Sequence, residues 1–246
     1  IDEHTREILE ANEKDLNAGY LTGLADSLLS RLALSKSSLD SIAADVRRIA
    51  TLPDPVGEAF DLQVLPNGLR TGKRRVPLGV IGVIYESRPN VTIDIASLCL
   101  KSGNAVILRG GKEALNSNTT LARISRESVE REGLPPEAIQ IIESTNRELV
   151  SQMLMMNDCI DLLIPRGSAD LIRRVATEAK MPTITGGVGV CHTDIDRTAD
   201  VEMAVSIANN AKVSSPYVCN ALDTLLVHES LAPTVLNQLG NLWKPS

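Results

Sequence analysis

Gly79-Val80-Ile81-Gly82-Val83-Ile84-Tyr85-Glu86-Ser87-Arg88-Pro89-Asn90 runs from an apolar, β-rich stretch into polar residues and then into a helical pattern. Asn104-Ala105-Val106-Ile107-Leu108-Arg109-Gly110-Gly111-Lys112-Glu113 does the same, with two glycines between two cations at the change of pattern. The rhythm then continues along the chain. β-rich runs fall at 80–85, 105–108, 139–142, 161–164, 183–185 and 222–227, and helical patterns near 91–101, 114–132, 146–156, 168–180 and 200–212. Strands alternating with helices predict right-handed βαβ crossovers. The expected fold class is therefore α/β, a Rossmann-like, mostly parallel sheet with flanking helices.

Upstream of this rhythm the pattern differs. Residues 1–50 read as helices, most clearly where Leu39, Ile42, Ala43, Val46 and Ile49 follow helical spacing. Pro53, Pro55 and Gly57 punctuate the chain. Residues 58–75 alternate around Pro66-Asn67-Gly68, a hairpin signal. The composition shift near 50–58 is the clearest boundary.

Composition narrows the class. The chain has 246 residues, 43% apolar and 23% charged, with 25 basic and 31 acidic residues for a net charge of −6. A chain of this length buries roughly 70–75% of its unfolded surface and needs no disulfide or metal staple. The apolar fraction excludes intrinsic disorder, and the apolar runs are too short for a transmembrane helix. Mild acidity argues against duplex binding. One Trp, three Tyr and one Phe are too few for a base-stacking platform. Neither a nucleic acid nor a membrane is an expected partner. Ile1-Asp2-Glu3-His4 has no basic and apolar signal-peptide pattern, and the missing Met suggests processing or trimming. Cys99, Cys159, Cys191 and Cys219 form no C-x-x-C pair, so neither zinc nor a disulfide framework is expected. Reduced thiols in a cytoplasmic protein are the default.

Ligands of open α/β sheets bind at the carboxyl ends of the strands. Arg88 there suits a bidentate fork to a carboxylate or phosphate; the alternative is a solvated Arg88 before a helix begun by Pro89 and Asn90. Gly110-Gly111, flanked by Arg109 and Lys112, admits close backbone approach of an anion at a helix start; the alternative is a tight turn. It is neither G-x-G-x-x-G nor a Walker loop. Ile164-Pro165-Arg166-Gly167-Ser168 is a third strand end, with Ser168 as a candidate N-cap. Cys191-His192, after Thr185-Gly186-Gly187-Val188-Gly189-Val190, reads as a buried thiol beside a hydrogen-bonded imidazole rather than as a dyad. Cys219, in Ser214-Ser215-Pro216-Tyr217-Val218-Cys219-Asn220, suits an acyl acceptor with oxyanion donors nearby. A small buried Cys is the other reading.

Taken in order, Val76 to Asn90, Gly110-Gly111-Lys112-Glu113, Ile164-Pro165-Arg166-Gly167, Gly186 to His192, and Val218 to Leu226 closely resemble the γ-glutamyl phosphate reductases, also called glutamate-5-semialdehyde dehydrogenases, of the aldehyde dehydrogenase superfamily. The resemblance runs from the first residues to about Leu231. It implies an NADP-dependent acylating aldehyde dehydrogenase of proline biosynthesis that uses NADPH and no metal. It implies that Cys219 attacks the γ-acyl phosphate, that phosphate leaves, and that the thioester is reduced to the semialdehyde, with Asn220 beside the nucleophile. It places the cofactor at Arg109, Gly110, Gly111, Lys112, Gly167 and Ser168, and the substrate at Arg88 and Asn90. It also implies a homo-oligomer and a glutamate 5-kinase partner. Relatives that hydrolyse their thioester carry a Glu general base where this sequence has Thr185-Gly186-Gly187. Two departures stand out. Ser214-Ser215-Pro216 replaces a usual Gln-Arg-Pro-like triplet, and family members continue for roughly 100–200 further residues, a domain's worth. The expected organisation is a helical region at 1–57 packing on a cofactor-binding α/β domain at 58–213, with 214–246 opening a catalytic domain. A truncated, non-catalytic nucleotide-binding or assembly module of the same fold is the competing expectation.

Overall fold

A computed structural model describes every residue except Val188, Tyr217, Pro245 and Ser246. The chain divides into two compact units, Ile1–Gly186 and Gly187–Ser246. The cuts expected at 57 and 213 each fall inside one unit. Hydrogen bonds and strand pairing, given below, tie the residues on either side of each.

The first unit opens with helices α1 (Thr5–Leu21), α2 (Asp26–Leu32) and α3 (Lys36–Thr51). Ser35 and Ser38 form a reciprocal capping box that starts α3. Leu39, Ile42 and Ala43 are buried on its inner face. Strands β1 (Ala59–Val64) and β2 (Arg70–Arg74) form the expected antiparallel hairpin.

The sheet follows. β3 (Val80–Tyr85) leads into α4 (Asn90–Lys101), and β4 (Ala105–Arg109) into α5 (Leu115–Arg131). β5 (Ile139–Ile141) leads into α6 (Glu148–Met155), and β6 (Leu162–Arg166) into α7 (Ala169–Glu178). The four strands are parallel in the order β5-β4-β3-β6. β3 is central and buried along nearly its whole length, which is why it reads as a continuous apolar run. Alternation sends Ile81, Val83 and Tyr85 to a core with Val91, Ala96 and Val129 from α4 and α5. Ile84 meets Val150, Met153 and Val175 from α6 and α7 on the other face. Helices thus cover both faces.

The helical region is wired into this layer by buried polar groups. Asp15, 3% exposed, accepts from the Asn116 and Ser117 backbone N–H groups at 3.1 and 2.7 Å and from both their side chains. A carboxylate at the first turn of α5 satisfies orphan donors and suits the helix dipole. Asn12 donates to the Leu32 carbonyl and to Ser117 Oγ, and accepts from Leu34 N.

The expected strand at 183–185 is reduced to one bridge, Thr183 beside Leu163. Pro182 carries no N–H and Gly186 follows, so no ladder extends.

In the second unit β7 (Cys191–Ile195), α8 (Val201–Val213) and β8 (Leu222–Val227) form a βαβ unit with parallel strands, followed by α9 (Ala232–Leu242). Ile195, Val205, Ala208, Leu222, Val235 and Leu239 are its core. β7 and α9 are absent from the sequence reading.

Candidate active site

Within the first unit the chain steps from β3 out to β4 and β5, then returns to β6 on the other side of β3. In open α/β sheets such a reversal marks the ligand crevice, which places the candidate one here outside the carboxyl ends of β3, β4 and β6. It gathers residues 86–88, 109–113 and 166–168.

Arg109 ends β4, paired in register with Ile84 of β3. Its Nε is buried with no hydrogen-bond partner. Burial pulls its pKa below the ordinary arginine value; the Glu113 charge opposes this, and the like charge of Arg147 adds to it. Lys112 is exposed and has no hydrogen-bond or ion-pair partner among the described residues. Arg147 therefore joins Arg109 and Lys112 among the cations of the crevice, and the sequence does not point to it.

Carboxylates sit among them. Glu113 accepts from Ser87 N at 2.8 Å and Ser87 Oγ at 2.6 Å. Ser87 has φ +41°, a left-handed conformation that costs a non-glycine residue free energy unless held. Glu86 accepts from Ser168 N at 3.0 Å and from Ser168 Oγ at 3.3 Å. Ser168 also caps α7 by accepting from Leu171 N, as expected.

The glycines are also required by the protein's own packing. A Cβ on Gly110 would come within 2.1 Å of Asn118 Nδ2, one on Gly111 within 2.1 Å of Glu113 Oε1, and one on Gly167 within 2.6 Å of Glu86 Cδ. The close approach is made by the protein's own side chains. Asn118, 1% exposed, accepts from Thr92 Oγ1, which lies 2.7 Å from the Tyr85 hydroxyl. Burial pushes that phenol up to about 12, so Tyr85 remains neutral.

Of the two residues expected on the substrate side, Asn90 begins α4 and donates to Asp94 at 2.9 Å within that helix. Arg88 is half-buried beside the strained Ser87. Pro89 and Asn90 do start a helix, while Arg88 is half-buried rather than solvated.

In the second unit Cys219 is exposed on the loop that enters β8, next to exposed Asn220. Cys191 is half-buried at the start of β7, and its thiol donates to the Cys219 carbonyl at 3.3 Å. His192 is exposed, with Nδ1 2.8 Å from the Val190 carbonyl, so cysteine and imidazole serve separate partners. Cys99 is buried, and desolvation pushes its thiol up to about 11. No cluster of three or more His, Cys, Asp or Glu side chains that could hold a metal ion occurs among the described residues. No helix among them is long and apolar enough to cross a membrane.

The family model for the aldehyde dehydrogenase family matches residues 26–244. The chain belongs to the aldehyde dehydrogenase family. Curated relatives agree with this placement. A γ-glutamyl phosphate reductase of Dehalococcoides mccartyi is 56% identical over 236 residues, covering 96% of this chain and 56% of the relative. One from Clostridium novyi is 52% identical over 243 residues, covering 99% and 58%. Among solved structures, γ-glutamyl phosphate reductase of Thermotoga maritima superposes with a TM-score of 0.88 at 42% identity, over 98% of this chain and 59% of that one. An engineered glycolyl-CoA reductase with bound NADP+ shares the fold at a TM-score of 0.69 and 20% identity, over 98% of this chain and 54% of that one. The chain spans somewhat over half the length of the curated relatives it matches.

Glu86, Glu113 and Arg147 were missed because the sequence reading sought cations beside glycines. The signal for Glu86 lies in the opening stretch itself, a charged residue immediately after a fully apolar strand.

Proposed function

We propose that this chain carries the cofactor crevice and the nucleophile of an NADPH-dependent γ-glutamyl phosphate reductase. The reaction is reduction of L-glutamyl 5-phosphate to L-glutamate 5-semialdehyde with release of phosphate, in proline biosynthesis and in the cytoplasm. One observation carries the reading: Cys219 is exposed on the loop entering β8, in a chain 56% identical over 236 residues to a protein of that name.

A Cys219 thiolate attacks the γ-acyl carbon, the carbon–oxygen bond to phosphate breaks, and a thioester remains on sulfur. A nicotinamide cofactor supplies the hydride that reduces it. The neighbouring Asn220 side chain and backbone N–H groups are the oxyanion donors in this reading. The residues of the crevice fit a phosphate-bearing cofactor. The buried, unpartnered Arg109 Nε and the unpaired Lys112 offer donors to it, with Gly110 and Gly111 between them. Gly167 and Ser168 open α7, where an anion is favoured. Glu86 occupies that helix start and is itself exposed, so an incoming phosphate competes with it. Arg88 and Asn90 remain the substrate-side residues, with a homo-oligomer and a glutamate 5-kinase as partners.

The test is the reverse reaction. The chain should reduce NADP+ when given glutamate 5-semialdehyde and phosphate, and Cys219→Ser should abolish this. Cofactor binding without turnover would leave only a nucleotide-binding module.

A further inference from the structure

A second thiol reaches the backbone of the proposed nucleophile. Cys191 Sγ lies 3.3 Å from the Cys219 carbonyl oxygen. Independently, a Cβ on Gly189 would stand 2.5 Å from that oxygen and 3.7 Å from Cys219 Cβ. The approach to β7 is therefore laid directly against Cys219, and a glycine is needed for it to fit.

A disulfide requires Cβ atoms about 3.5–4.5 Å apart. The Cys191 thiol lies against the Cys219 backbone, and the chain two residues before Cys191 lies against Cys219 Cβ, so closing the pair takes a local shift rather than a new approach of the chain. Cys219 sits in the turn before β8, outside the β7–β8 ladder, which begins at Cys191 and Leu222. The remaining adjustment thus falls on backbone that no strand pairing holds. Exposure orders the pair: Cys219 is open to solvent and Cys191 is half-buried beside it. An accessible thiol with a second thiol within reach is the arrangement that lets oxidation stop at a disulfide. Cys99 is buried and cannot take this part.

We propose that Cys219 and Cys191 form a hydroperoxide-reactive site that closes into a reversible disulfide. The Cys219 thiolate attacks one peroxide oxygen, the O–O bond breaks, and water or an alcohol leaves after protonation. Cys219 is then a sulfenic acid. The Cys191 thiolate attacks its sulfur, the S–O bond breaks, hydroxide leaves and takes up a proton, and the disulfide remains. Two electrons pass from the two thiols to the peroxide. The closed form removes the nucleophile reversibly and shields it from sulfinic acid, which thiols do not reverse. The site needs only the two thiols, so it stands whether or not the chain reduces an acyl phosphate.

The experiment treats the chain with hydrogen peroxide, blocks free thiols with iodoacetamide, and maps linked peptides by mass spectrometry without reduction. The expected result is a 191–219 link, loss of both thiols to labelling, and their full return with dithiothreitol. In Cys191→Ser, Cys219 should instead progress to sulfinic acid and lose its recoverable labelling. A link that joins Cys219 to any other cysteine, including that of a second copy, would overturn the proposal. So would Cys219 recovering in Cys191→Ser as fully as in the parent chain. The map on the parent chain decides the matter even where the variant folds poorly.

Discussion

The crevice at the ends of β3, β4 and β6 and the loop that carries Cys219 are built on opposite plans. In the crevice, position comes from a parallel ladder: Ile84 pairs with Arg109 and Tyr85 with Arg166. Side chains then lock the corners, Glu113 on Ser87 and Glu86 on Ser168. The Cys219 loop has no ladder. Among the described residues, turn hydrogen bonds from Val218 N to the Ser215 carbonyl and from Ala221 N to the Val218 carbonyl hold it, together with the Gly189 approach and the Cys191 thiol. A cluster of charges needs fixed geometry, because a displaced charge loses its partner and its solvent together. A nucleophile needs access, which a loop gives. The difference teaches where each region is fragile. The crevice is vulnerable at its supports, the loop at its chemistry.

The largest effect should come from that chemistry. Thr185-Gly186-Gly187 offers no carboxylate to activate water, and a general base typically contributes about 10²–10⁴-fold. Aldehyde oxidation, followed as NADPH formation, should slow by about that factor when phosphate is withheld. Comparable rates without phosphate would show that water is activated and would remove the contrast.

Next comes a support of the crevice. Asp15→Ala strips four donors at the start of α5 of their acceptor. Hydrogen bonds to a buried charge contribute roughly 1.5–3 kcal/mol each, so unfolding should be easier by about 3 kcal/mol or more. Urea denaturation measures this. Iodoacetamide labelling of Cys219 should stay unchanged under native conditions, while Cys99, with its thiol near 11, stays unlabelled in the parent chain. Accelerated Cys219 labelling in Asp15→Ala would mean that the two regions are not independent.

Smaller effects probe the crevice charges. Arg109→Ala and Lys112→Ala should each weaken NADPH about tenfold, the measure of one charge-assisted hydrogen bond. NADH should be affected less, and equal losses by fluorescence titration would remove the phosphate-reading role. Smallest is Glu86→Gln, which keeps the shape at Ser168 and removes a charge from the start of α7. Calorimetry should find NADPH bound a few-fold more tightly, since an exposed charge at a helix start contributes about 0.3–1 kcal/mol. Weaker binding would show that Glu86 supports the ligand.

How much of this was legible follows from the same physics. β3 and β4 announce themselves because strands buried on both faces are apolar throughout. The 58–75 hairpin was visible in Pro66-Asn67-Gly68. β7 was not. Its Cys191-His192-Thr193-Asp194-Ile195 is half-exposed and polar at alternate positions, and it follows a glycine-rich run that reads as loop. The false strand at 183–185 has the right residues, but Pro182 and Gly186 leave it room for a single bridge. Arg109 and Lys112 were legible as cations beside glycines. The packing reason for those glycines was not, because Asn118, Glu113 and Glu86 reach them only through the fold. Nor could sequence show that Cys191 reaches Cys219 from 28 residues away.

The central claim is that Cys219 carries the acyl group. The direct measurement incubates the chain with glutamate 5-semialdehyde and NADP+, withholds phosphate, quenches in acid and maps adducts by mass spectrometry. The account predicts a glutamyl thioester on Cys219 that disappears when phosphate is added. An adduct on Cys159 or Cys191, or NADPH formed with no adduct on any cysteine, would contradict it.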